Sequence, residues 1–186
     1  MLFRSQQITE TGESSIVGFS IGGDERRAPA RDFHEVYKEA ARRGLRLTCH
    51  AGEVAGPESI WSALNIGAER IGHGLTAMQD TELVDQLSRR QVPVEVCISS
   101  NVATGALASL EEHPVRKLFD NGVMVTLNTD DPAMFHTSLE REYRLARDVF
   151  GFSDEQLREL ARNSFEASFL PAARKLELLK DVDVMA

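Results

Sequence analysis

LRLTCHAGE, residues 45–53, is a short β-rich run that ends in a histidine, turns at a glycine and places a carboxylate three residues beyond the imidazole. Four other runs share this plan. SIVGFSI (15–21) is followed by Gly22, Gly23, Asp24 and Glu25, and ERIG (69–72) by His73. VPVEVCI (92–98) is followed by Ser99, Ser100 and Asn101, and VMVTLN (123–128) by Asp130 and Asp131. The runs start at 15, 45, 69, 92 and 123, so they lie 23 to 31 residues apart. That is the length of a βα unit, and it predicts parallel strands joined by crossover helices.

Helical spacing fills the intervals. One helix is expected over 32–43, between Pro29 and Gly44, and others start near Pro57, Asp80 and Pro114, the last stopping at Asn121-Gly122. Two more are expected over 137–150 and 153–169, separated by Gly151, with Ser153 and Gln156 forming a capping box. The tail, 171–186, reads as a helix that frays.

Two architectures use parallel strands in this way. A doubly wound sheet gathers its site at one switch point, whereas a barrel recruits residues from the C-terminal ends of many strands. Here reactive residues follow nearly every strand, so the expected class is α/β, a partial TIM-type barrel of about five parallel strands with helices outside and C-terminal helices following. A closed barrel needs eight strands and about 250 residues. The expectation is therefore a single incomplete barrel domain over 1–186, a piece of a longer protein, whose open edges favour self-association.

The chain has 186 residues, is 42% hydrophobic and 27% charged, and carries a formal charge of -8. That balance suits a globular protein and argues against nucleic-acid binding, which needs a basic surface. No apolar run approaches the roughly 20 residues of a membrane span, and the N-terminus has no secretory signal pattern. The expected compartment is the cytoplasm. Cys49 and Cys97 stand singly in apolar runs and read as buried reduced thiols.

Several residues carry chemistry. His50 at a strand end can bind a metal, and Glu53 reaches the same space from the turn. A metal lowers the pKa of its water, and a carboxylic acid can protonate a substrate as water attacks. His73, between two glycines, could hydrogen-bond a metal-bound water or complete a metal site. Asp130 and Asp131 follow a strand, and adjacent extended residues point in opposite directions. One can face a metal and the other a substrate donor, although a helix N-cap pair would also account for one of them. The glycine pair Gly22-Gly23 permits close approach to a flat ligand. His34, His113 and His136 read as surface or loop residues, with His136 near enough to Asp131 to line the mouth. Trp61 reads as packing, and 140–147 as an exposed charged face.

Gly23-Asp24-Glu25, His50-Ala51-Gly52-Glu53, Arg70-Ile71-Gly72-His73-Gly74, Ser100-Asn101 and Thr129-Asp130-Asp131-Pro132 resemble the successive signatures of the adenosine deaminase family of amidohydrolases. Residues 138–143 and 163–165 are similar to its C-terminal helices, so the likeness spans about 15–169. The resemblance implies His50 and Asp130 as ligands of one Zn(2+), Glu53 as the acid that protonates the purine, and His73 as the group that orients hydroxide. It further implies that Asp131 and the Gly23 backbone bind the purine, a nucleoside or free base. Zinc deaminases of the cytidine type carry PCxxC, which is absent here. Two departures stand out. The family usually has proline where Ile98 stands, and it carries an HxH pair that supplies two more ligands, whereas this chain has no HxH. Catalytic zinc typically takes three protein ligands, so the isolated chain is expected to bind metal weakly and to be inactive. The alternative is a truncated, non-catalytic barrel piece that serves as a binding or assembly module.

Overall fold

A computed structural model describes residues 16–184. The strands are β1 (Gly18–Ile21), β2 (Arg46–Ala51), β3 (Arg70–His73), β4 (Val94–Val96) and β5 (Val125–Leu127). The helices are α1 (His34–Arg42), α2 (Pro57–Asn65), α3 (Thr81–Arg90), α4 (Ile98–Ala103), α5 (Val115–Asp120), α6 (Leu139–Asp148), α7 (Asp154–Ala167) and α8 (Ala172–Val184). All five strands lie in one sheet in sequence order, and every neighbouring pair is parallel. A doubly wound sheet would reverse direction part-way; unbroken order is that of a barrel arc.

Local chemistry sets the helix ends. Pro57 occupies the first turn of α2, where a missing N–H costs nothing. The Asp80 carboxylate accepts from the amides of Glu82 and Leu83 at the start of α3. Ser153 and Gln156 form the expected reciprocal cap on α7, at 3.3 and 3.1 Å.

Three boundaries differ from the sequence reading. The run 92–98 is not one strand, because β4 stops at Val96 and the buried Ile98 opens α4. The first helix begins as a 3-10 turn over Ala30–Phe33. α6 starts at Leu139 and is capped by Ser138, not by either aspartate. The expected fraying of the tail falls on residues outside those described.

The sheet divides its side chains by alternation. Leu47, Cys49 and Ala51 of β2, with Ile71, Val94 and Val96, are buried beneath the helices. They meet Tyr37, Ile60, Leu83, Leu87 and Leu118, all fully buried. Each such aliphatic side chain contributes about 1.5–3 kcal/mol on burial. The Tyr37 hydroxyl enters this layer by donating to the Thr48 carbonyl at 2.6 Å. The opposite, inner face is polar. Arg70 pairs with Glu95 at 2.9 Å, and the guanidinium groups of Arg46 and Arg70 lie 4.6 and 3.9 Å from the centre of the Phe169 ring. Both cysteines are buried free thiols, and burial raises the pKa of Cys49 to about 11, so it is inert. No helix among the described residues is long and apolar enough to cross a membrane.

Candidate active site

The strand ends of β2, β3 and β5 converge on one cavity of about 470 Å³, within the range of small-molecule sites. His50, Gly72, His73, Glu95 and Asp130 contribute to its lining. The His50 ring, at the end of β2, is flanked by Gly22 just after β1 and by Gly72 on β3. A Cβ at Gly22 or at Gly72 would come within 3.0 Å of the ring, so both positions leave room for the imidazole that a side chain would close.

Glu53 is set by a turn and an anchor. Gly52 adopts a φ of +70°, and a Cβ there would meet Ile60 at 2.6 Å. The Glu25 carboxylate, 7% exposed, accepts from the amides of Gly52 (2.7 Å), Glu53 (2.8 Å) and Val54 (3.3 Å) and from the Ser59 hydroxyl (2.5 Å). A residue 28 positions upstream thus holds the turn that carries the candidate acid. Burial raises the Glu53 pKa, and the negative charge of Asp130 raises it further, so the carboxyl holds a proton more readily than a free glutamate does. Its Oε2 lies 3.5 Å from His73 Nε2.

His73 ends β3 in the left-handed region, at φ 67°, and Asp130 follows β5 at φ 58°. Non-glycine residues rarely adopt this conformation, and such strain concentrates at functional sites. His73 Nε2 is 3.3 Å from His50 Nδ1, and Asn101 Nδ2 donates to His73 Nδ1 at 2.9 Å. Burial first, and then the neighbouring His50, lower its pKa to about 4, so the ring is neutral near pH 7. Asp130 accepts from the Ser100 hydroxyl at 2.6 Å.

Donor atoms of His50, Glu53 and His73 all lie within 4.8 Å of one another, and Asp130 lines the same cavity as the two histidines. Imidazole nitrogens with carboxylate oxygens form a donor set that suits a metal ion of the zinc type. Neither Gly23 nor Asp131 lines this cavity. Gly23 is exposed at φ +129° and lines a smaller recess on the other side of His50. Asp131 is exposed, and one of its oxygens accepts from the Met134 amide at 2.8 Å, which makes it a turn residue as well.

The structure corrects three readings and adds one residue. His113 is in a loop, as expected, yet it is 4% exposed and bonded to Asn101 at 3.3 Å. The stretch 140–147 is not a uniformly exposed face. Glu142 is fully buried and accepts from the Ser99 amide and the Thr137 hydroxyl, tying α6 to the first turn of α4. Glu25 was not singled out as an anchor; its position after a glycine pair was the one available signal. His136 is exposed and does not line the cavity.

The buried His113 leads to a pH prediction. Burial lowers its pKa from 6.5 to about 4. Below pH 6.5 the unfolded chain takes up a proton that the folded chain refuses, so its stabilising contribution is complete above 6.5 and declines as pH falls towards 4. At pH 5 the loss is about 2 kcal/mol. Urea unfolding at pH 7 and pH 5 measures it; equal losses in the native chain and in His113→Gln would contradict the assignment.

The adenosine deaminase family model matches residues 5–185. Aminodeoxyfutalosine deaminase of Streptomyces avermitilis is 44% identical over 169 residues, covering 90% of this chain and 47% of that protein. Adenosine deaminase of Klebsiella pneumoniae is 41% identical over 168 residues, covering 90% and 50%. The crystal structure of adenine deaminase from Arthrobacter aurescens superposes with a TM-score of 0.93 at 36% identity, covering 100% of this chain and 57% of that one. The chain spans about half the length of the curated relatives it matches.

Proposed function

Since the chain belongs to the adenosine deaminase family, we propose that it supplies the His50–Glu53–His73–Asp130 part of a hydrolytic deaminase acting on an adenine-type nucleoside or base. The observation that carries this reading is the meeting, beside one cavity, of a half-buried acid with a raised pKa, a neutral imidazole and a mixed imidazole–carboxylate donor set.

His50 and Asp130 would hold zinc. When bound, zinc makes its water acidic enough to ionise near neutral pH. Glu53, whose affinity for a proton burial raises, gives that proton to a ring nitrogen, which makes the amine-bearing carbon electrophilic. His73 directs its Nε2 at the attacking oxygen and orients it. Water adds to that carbon, the C–N bond breaks, and the exocyclic nitrogen leaves as ammonia, giving a keto purine. Ser100 aligns the Asp130 carboxylate. Asp131 hydrogen-bonds the imidazole part of the purine, and the Gly23 backbone meets another ring nitrogen. The relatives above are named as deaminases of adenosine, adenine and aminodeoxyfutalosine, which supports an adenine-type purine as the substrate class of this chain. A cytoplasmic location is part of the same reading.

Two ligands fall short of the usual three protein ligands of catalytic zinc. The 186-residue chain alone is therefore expected to hold well under one zinc and to release no ammonia. The same chain completed by an HxH-bearing strand is expected to hold one zinc and to deaminate. Metal analysis with an ultraviolet assay on adenine and adenosine tests both halves. Stoichiometric zinc and turnover by the chain alone would refute the ligand division. A completed, zinc-loaded protein that leaves both purines untouched would refute the deaminase reading.

A further inference from the structure

Behind His73 runs a line of hydrogen bonds with no role in the chemistry above. It starts at a backbone amide. The Val115 N–H donates to His113 Nδ1 at 3.1 Å. His113 Nε2 lies 3.3 Å from Asn101 Oδ1, and Asn101 Nδ2 lies 2.9 Å from His73 Nδ1. Asn101 is fully buried, while His113 and His73 are 4% and 2% exposed, and the Phe150 ring covers His113 edge-on at 5.9 Å between ring centres.

The direction of this chain follows from its first member. A peptide N–H is a donor only. His113 Nδ1 must therefore carry the lone pair, and in the neutral ring the proton sits on Nε2. That proton can go only to the amide oxygen of Asn101. The Asn101 amide is thereby oriented, its NH₂ faces His73, and His73 Nδ1 must accept. The one remaining proton of the neutral His73 ring is on Nε2, the atom that faces Glu53 and His50 in the cavity.

We infer that Asn101 and His113 are positioning residues that lock His73 in the Nε2–H tautomer, so that it presents a donor to the reaction centre. The alternative tautomer would aim a lone pair at the same place and could only accept a hydrogen bond there, not donate one. The tautomer is a property of the hydrogen-bond line alone. Its catalytic consequence rests on the proposed deamination.

The test uses protein labelled with ¹⁵N-histidine, whose five histidines include only His50, His73 and His113 away from the exposed His34 and His136. Long-range ¹H–¹⁵N spectra of the native chain are expected to show Nε2–H and a bare Nδ1 for both His73 and His113. In Asn101→Asp the carboxylate accepts on both sides, so the His73 proton moves to Nδ1 while His113 is unchanged. In His113→Phe the Asn101 amide is free to flip, and His73 shows both tautomers. A native His73 protonated at Nδ1, or an Asn101→Asp spectrum unchanged at His73, would overturn the inference. In the completed enzyme, Asn101→Asp is expected to lower kcat about 10- to 100-fold with little change in KM. A tautomer that moves without an effect on kcat removes the positioning role; absence of turnover in the native enzyme counts against the deaminase reading and leaves the spectral result standing.

Discussion

Replacing Glu53 by glutamine is expected to cut kcat of the completed enzyme by about 10²- to 10⁴-fold, with zinc content unchanged. Glutamine keeps the size of the side chain and its backbone amide, so the 2.8 Å bond from that amide to Glu25 survives. What it lacks is an acidic proton. The structure prepares that proton in two ways. Burial disfavours the carboxylate, and the charge of Asp130 across the cavity disfavours it again. The loss corresponds to about 3–5 kcal/mol of barrier. Because the acid acts only as the transition state forms, KM should move far less than kcat. Steady-state kinetics with metal analysis measures both. A variant within tenfold of native kcat would show that Glu53 is not the proton donor.

The second large effect is expected at Glu25, a residue that touches no reacting atom. Removing its carboxylate in Glu25→Ala leaves the amides of Gly52, Glu53 and Val54 and the Ser59 hydroxyl without their acceptor. Each buried donor left unmatched costs about 1–3 kcal/mol. Water entering the vacated space recovers part of this, so the net loss is on the order of 3 kcal/mol. The turn that presents Glu53 loosens at the same time, and activity falls with it. Glu25→Gln keeps one acceptor oxygen and should lie between the two. Urea titration reads the stability, and a Glu25→Ala chain within about 1 kcal/mol of native would mean that the turn holds itself.

Both predictions involve the same turn, yet they were unequally visible. Glu53 announces itself, because a carboxylate three residues after a strand-terminal histidine is a local pattern. Glu25 has no such pattern. Its partners are 27 to 34 residues away, and they are mostly amides, which every residue possesses. The same holds for His113, whose partner Asn101 lies 12 residues upstream, and for Glu142, whose carboxylate reaches back 43 residues to Ser99. Length of an apolar run was also a poor guide to strand ends. Ile98 is as buried in α4 as Val96 is in β4, and hydrophobicity alone does not record where the backbone turns between them.

By itself the sequence determined the parallel βα arc, because alternation and unit length are short-range properties of the chain, and it offered His50, Glu53, His73 and Asp130 as candidate groups at or just after strand ends. Only the tertiary structure decided how those four groups are held. It recruited Glu25, Ser100, Asn101 and His113, and it bent His73 and Asp130 into the left-handed region. The reason is physical: an orienting hydrogen bond is a matter of distance and direction between groups far apart in the chain, and neither exists until the strands are side by side.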